Sequence, residues 1–332
     1  WIMAYTAIDN PELYFQVKTY AGTGSEQSIT LDGDEDMQPD VVWIKNRDEA
    51  DSHCWFDSVR GATKLLYPDT ADDEEDDADT LTSFDSDGFA LGDDDKVNTD
   101  TEAYVAWCWK ESATAGFDIV SYTGNATNRT ISHSLSAVPE AIITKCRSAA
   151  ARSWTSYHAP LGNGKHMTLS ETDAAATSSA SWNDTTPTSS VFSLGTSNNV
   201  NDNTETHIAY CFAPIQGFSK FGSYTGNSQA GTSSPFVYTG FRPAWVMIKN
   251  TADTHGWSIT DSKRTGYNEN SVFLYANAND ADASYPMTSF YSNGFQPIEA
   301  GADKGAVNQS GDVYIYMAFA EAPFVNSNGV PC

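Results

Sequence analysis

SYTGN occupies residues 121–125 and returns at 223–227, 102 positions further on. Another 102 positions before Tyr122 stands Tyr20, in the looser copy TYAGT at 19–23. A fixed period of this kind marks a repeated structural unit and governs how every other motif is read. About twenty residues after each turn, a proline opens an apolar run ending in lysine: PDVVWIK (39–45), PEAIITK (139–145) and PAWVMIK (243–249). Each unit then places an aromatic after a Ser-rich turn (Phe89, Phe192, Phe295) and a Val-Asn pair (Val97-Asn98, Val200-Asn201, Val307-Asn308). It ends in a closing run: YVAWCW (104–109), HIAYCF (207–212) and YIYMAF (314–319). These landmarks divide the chain into units at 12–112, 113–215 and 216–332. Residues 1–11 read as the end of a preceding unit plus a linker, since Ile2-Met3-Ala4-Tyr5 resembles Tyr316-Met317-Ala318-Phe319.

The shared runs are short, β-branched and aromatic, and are bounded by Gly, Asn, Asp and Pro, which is strand chemistry with turn punctuation. VVWIK and WVMIK are nearly continuous, as in a strand buried on both faces. Few windows carry a helical stripe. The expectation is an all-β chain of three tandem antiparallel β-sandwich repeats of jelly-roll or lectin-like kind, in series, with roughly six to eight strands each. A barrel is the alternative. Gly124 and Gly226 are expected to supply a positive φ in a tight turn. Pro39, Pro139 and Pro243 are expected to open strands where a missing N–H costs nothing. The aromatics of the closing runs are assigned to the core.

Lys and Arg total 18 against 44 Asp and Glu, for a net charge of −26. That balance disfavours nucleic acid, whose binding rests on cationic side chains meeting phosphates, and disfavours an anionic membrane surface for the same reason. No apolar run approaches the ~20 residues of a spanning helix, so no membrane insertion is expected. The tracts ADDEEDDAD (71–79) and DDD (93–95) are read as solvated loops. Five cysteines, odd in number and without framework spacing, point to assembly in a reducing compartment. Cys108 and Cys211 fall where the third unit has Ala318, so they are read as small buried positions.

No GxSxG, HExxH or GxxxxGK[ST] pattern occurs, so no catalytic residues are assigned, and the chain is read as a non-enzyme with no cofactor. Asp85 and Asp87, in DSDG (85–88), resemble the opening of a calcium loop, yet the ligands that should follow are missing. A turn is the simpler reading, with a surface calcium possible in so acidic a unit. His158 aligns with Asp57 and Asp261, which argues for structure or surface over catalysis, while His53, Trp154 and Trp257 share another position and are read first as covering the core. Tryptophan beside Asp, His or Arg is also how proteins hold sugars, the ring stacking on a pyranose and planar groups reading its hydroxyls. That gives Trp55, Asp57, Arg60, Trp154, His158, Trp257 and Asp261 as candidate glycan-binding residues. The Asn-x-Ser/Thr triplets at Asn125, Asn128, Asn183 and Asn308 are attributed to composition.

WIKNRDEADSHCWFDSVRGATK (43–64), LTSFDSDGFALG (81–92), YVAWCWK (104–110) and GFDIVSYTGN (116–125) resemble the roughly 100-residue tandem domains of bacteriophage tail-fibre and other virion appendage proteins, particularly marine podovirus-like and cyanobacterial phages. The resemblance covers almost the whole chain and rests on scaffold motifs alone. It implies a virion surface component assembled in the bacterial cytoplasm. Its partners would be other virion proteins, further copies of itself as a homotrimer, and host-surface polysaccharide. A capsid or tail decoration protein without a ligand is the alternative, and a polysaccharide depolymerase the second. The second unit departs most, with Thr144-Lys145-Cys146 replacing Ile-Lys-Asn and no Phe-Asp-Ser-Asp-Gly turn.

Overall fold

The apolar run of each unit forms a strand: Val41–Asn46, Ala141–Cys146 and Phe241–Asn250. In a computed structural model that describes residues 6–268, 270–298 and 304–332, this strand lies between a closing strand and a short return strand. The closing strands are Ala103–Trp109, Thr206–Phe212 and Val313–Pro323; the return strands are Cys54–Asp57, Thr155–His158 and Ser258–Asp261. On its other edge each closing strand pairs with an opening strand, Phe15–Ala21, Phe117–Thr123 or Ser219–Thr225. All these pairings are antiparallel, and the α-helices among the described residues are four residues long. The register recurs as well: Val41 faces Asp57, Ala141 faces His158, and Trp245 faces Asp261. The segment Ile2-Met3-Ala4-Tyr5, on which the reading of a preceding unit rests, lies outside the described residues.

A second layer covers one face of each main sheet. In the first unit it is Gln27–Thr30, Gly88–Leu91 and Leu81–Asp85; in the second, Arg129–Ser132 with Val191–Leu194. In the third, Val237–Tyr238 and Gly294–Pro297 join the main sheet through Ala283–Tyr291 and Asn270–Tyr275, giving one sheet of eight strands.

Strand alternation then sends every second side chain to each face. Val42, Ile44, Tyr104, Ala106 and Cys108 meet Ile29, Phe89 and Leu91 of the second layer in a core private to the first unit. Ile142, Ala209 and Cys211 meet Ile131, Phe192 and Leu194 likewise in the second. The alternate residues point the other way, and here the expectation of sandwiches strung in series is corrected. Val41, Trp43, Trp107 and Trp109 of the first unit, Ile143, Tyr210 and Phe212 of the second, and Trp245, Met317 and Phe319 of the third share one continuous core. A run apolar throughout is thus explained by two different burials, one within a unit and one between units. Cys108 and Cys211 are fully buried in the private cores, and no cysteine is paired.

The repeated Tyr-Thr-Gly turn is built otherwise than expected. Gly22, Gly124 and Gly226 do not have positive φ; that conformation belongs to Gly24 (φ 63°), Ala126 (φ 53°) and Ser228 (φ 54°), two residues on. The glycines permit a close approach instead. A Cβ at these positions would lie 2.0 Å from the Thr99 oxygen, 2.0 Å from that of Asp202 and 2.2 Å from that of Gln309. The Val-Asn pair closes the same turn from beneath: the tyrosine hydroxyl bonds the valine carbonyl, and the asparagine Oδ1 accepts the N–H just after the glycine. Gly124→Ala is therefore expected to destabilise the chain by about 2–3 kcal/mol, because backbone must move to admit the methyl group. Thermal unfolding checks it, and a loss below 0.5 kcal/mol would contradict this geometry. Pro39 and Pro139 precede their strands, but Pro243 sits inside Phe241–Asn250 at a register shift, where the bulge removes the need for its N–H.

Candidate functional site

The seven residues put forward as glycan-binding all lie at the junctions between units, and they are interior. Trp55, Asp57, Trp154, His158, Trp257 and Asp261 are at most 3% exposed and Arg60 is 7% exposed. No sugar ring can stack on them, so that expectation is corrected: their chemistry is spent on one another.

In each unit the end of the return strand reaches the closing strand of the next. Asp57 Oδ2 accepts a hydrogen bond from the Tyr210 hydroxyl at 2.6 Å, and Asp261 Oδ2 accepts one from Trp107 Nε1 at 3.1 Å. His158 Nε2 lies 3.0 Å from the Tyr316 carbonyl and donates to it. The first unit thus touches the second, the second the third, and the third the first. Tyr210, Trp107 and Met317 hold the same place in their closing strands, opposite Ile119, Val17 and Phe221. Methionine has no proton to give a carboxylate, and the unit that faces it carries histidine, which turns to the adjacent backbone carbonyl instead.

The preceding position closes the ring in the opposite sense. Trp154 Nε1 donates to the Tyr67 carbonyl at 2.8 Å, and Trp257 Nε1 to that of Thr168 at 2.9 Å. His53 accepts from Trp43 Nε1 on Nδ1 at 2.9 Å, which leaves Nε2 to donate to the Tyr275 carbonyl at 3.1 Å. The lysines that end the apolar runs are fully buried, and Lys145 and Lys249 donate to the Ala71 and Thr172 carbonyls of the neighbouring unit.

Two of the three seams are ionic. Arg60 pairs with Asp57 and with Glu74, and Glu74 takes a bidentate contact from Arg147 of the second unit at 2.8 and 2.9 Å. Arg264 pairs with Asp261 and with Asp282 at 2.6 Å, and Asp282 pairs with Arg47 of the first unit at 2.7 Å. Glu74 belongs to the acidic tract 71–79, so part of that tract is anchored rather than solvated. In the seam between the second and third units Leu161 stands where Arg60 and Arg264 stand, three residues beyond His158. A cavity of about 10 Å³, room for about one water, remains there beside His158, Tyr157, Trp257 and Met317. Arg264, Glu74, Asp282, Arg47 and Arg147 were not singled out from sequence. Of these only Arg264 carries a sequence signal, the Asp-x-x-Arg spacing present at 57–60 and 261–264 and lost together in the unit with histidine.

The buried histidines are held neutral. Burial, aided by the Lys45 charge, lowers His53 to about 3; burial lowers His158 and His207 to about 4. A histidine that folds neutral contributes stability present above its unfolded value near 6.5 and lost as pH falls toward the folded value. Glu111 works the other way, pushed up to about 7 by burial beside Asp118 and Asp40, so the pH dependence of the whole chain mixes both signs. A difference isolates one group. The stability gap between the chain and His158→Gln is expected to shrink by about 1.4 kcal/mol per pH unit between pH 6 and 4.5; a gap independent of pH would contradict a neutral His158.

Glu111 and Asp118 form a close carboxyl pair where the first unit passes into the second, and both are held by local hydrogen bonds. Glu111 Oε1 accepts from Ile119 N, and Asp118 accepts from Ser134 N and Oγ. Asp85 and Asp87 sit at the hairpin turn between Leu81–Asp85 and Gly88–Leu91, accepting from Ser83 Oγ and Met37 N respectively. Among the described residues no three His, Cys, Asp or Glu side chains gather as a metal-binding group. No helix there is long and apolar enough to cross a membrane.

No curated protein is significantly similar to the chain. The ring of seams joins all three units into one body, and a single family pattern runs across the same extent: over residues 10–323 the chain matches the domain of unknown function DUF7483 and belongs to that family.

Proposed function

We propose that the chain is a non-enzymatic attachment module of a bacteriophage virion, in a tail fibre or similar appendage, built as three copies of one β-sandwich closed into a ring. The observation that carries this reading is where the repeated side chains go. Carboxylates, histidines and tryptophans that could do chemistry at a surface are consumed by the seams, which leaves the variable loops for contact with the outside. The phage context comes from the resemblance of the repeat motifs, and host-surface polysaccharide is the partner that context implies. Three linked copies suit such a role, since several weak contacts on one body add as avidity. The threefold packing that a homotrimer would supply is provided here within one chain, and further self-association would use the outer loops.

Binding of the labelled chain to whole bacterial cells and to a glycan array tests the reading. Retention on cells that is competed by soluble polysaccharide is the expected result. A decoration protein without a ligand would bind neither. A depolymerase would release reducing ends, and in that case Glu111→Gln would abolish turnover.

A further inference from the structure

The three units share a scaffold, yet they differ in what they show to solvent. The exposed large aromatic side chains among the described residues, Phe236 (47%), Tyr238 (55%), Tyr267 (39%) and Tyr285 (40%), all belong to the third unit. Units one and two expose Val59 and Val138 instead. The hairpin turn makes the contrast residue by residue: Asp85 faces Gly88 in the first unit, whereas Tyr291 faces Gly294 in the third. Tyr291 is half-buried at a place where another copy uses aspartate, so the shared scaffold does not itself call for an aromatic there.

Tyr291 and Tyr267 line one open cleft of about 280 Å³, with Arg242, Asn268, Phe290 and Ser292 completing its wall. The ring of Phe236 packs edge-on against Tyr291 at 5.9 Å, and the Arg242 guanidinium stands over Tyr267 at 5.1 Å, so both rings are braced. The Tyr267 hydroxyl is tied to Glu321, and the Tyr291 hydroxyl to Gln296 at 2.8 Å. Braced rings, a guanidinium, an amide and a hydroxyl around a space of this size are the parts that hold a sugar: a flat apolar face plus planar donors and acceptors. The Glu321 carboxylate that holds the Tyr267 hydroxyl and the net charge of −26 both oppose an anionic ligand.

We propose that this cleft of the third unit binds a neutral pyranose of a surface glycan, with Tyr267 and Tyr291 as stacking surfaces and Arg242 and Asn268 reading hydroxyls. The proposal rests on the attachment reading above and names its site. Saturation-transfer NMR of the full chain with the methyl glycosides of glucose, galactose, mannose and N-acetylglucosamine tests it. At least one glycoside is expected to bind, and Tyr267→Ala and Tyr291→Ala each to weaken it fivefold or more. Ser86→Ala, at the matching turn of the first unit, should leave binding unchanged. Binding that survives both tyrosine variants overturns the cleft while leaving attachment intact, as does binding to array glycans but to none of these glycosides. Binding to no glycan at all removes both. A chain dimer dissolved by either tyrosine variant would make the aromatic cleft a contact between copies and overturn the proposal as well.

Discussion

Arg60→Met is expected to destabilise the chain by about 3–5 kcal/mol, because it leaves the Asp57 carboxylate buried without its cation. Both side chains have no exposed surface, and Arg60 also donates to the Trp55 and Lys64 carbonyls at 2.9 Å, which would lose their partner. The cost is of the unpaired charge and not of the pair as such. Asp57→Asn combined with Arg60→Met should therefore recover at least half of the loss, since a neutral amide can still meet the Tyr210 hydroxyl. The second unit, with His158 and Leu161, already does without the pair. Urea unfolding of the two variants decides the matter; a double variant as unstable as the single would contradict it.

Trp245→Ala is expected to cost about 3–5 kcal/mol through the cavity it leaves. The indole is 1% exposed and lies within 6.5 Å, ring centre to ring centre, of Phe15, Trp43, Trp107, Trp109 and Phe319. Its N–H has no hydrogen-bond partner among the described residues, so the loss is of packing alone. Four of those five neighbours belong to the first unit, and the change should lower protection from amide exchange in Ala103–Trp109 as well as in Val313–Pro323. Trp182→Ala makes the contrast, because Trp182 packs against Tyr157 in the private core of the second unit. A Trp245→Ala effect confined to the third unit would show that the shared core does not couple the units.

Much of the architecture was legible because the landmarks that recur are those that fix strand pairing. The closing runs, the lysine-ended runs and the stacked Tyr20–Tyr104, Tyr122–His207 and Tyr224–Tyr314 pairs all fall in one register. What composition could not reveal is which face of a doubly buried strand looks inward to its own unit and which toward another. Trp43 and Ile44 are neighbours in sequence and equally apolar, yet one enters the shared core and the other a private one. The same blindness placed Trp55, Asp57 and Arg60 on a surface: tryptophan beside paired charges has one composition in a sugar site and in a buried seam, and only burial separates them. The glycine of the repeated turn was misread for a similar reason, since close approach and positive φ both demand glycine. The cleft at Tyr267 and Tyr291 escaped notice because attention to shared positions passes over residues that only one copy has.

Calorimetry of the whole chain tests the ring directly. Three units that share one core should unfold in a single endotherm whose van't Hoff enthalpy equals the calorimetric enthalpy. Units that merely follow one another along the chain would give separable transitions, or a van't Hoff enthalpy of about one third of the calorimetric value, and either result would contradict this account.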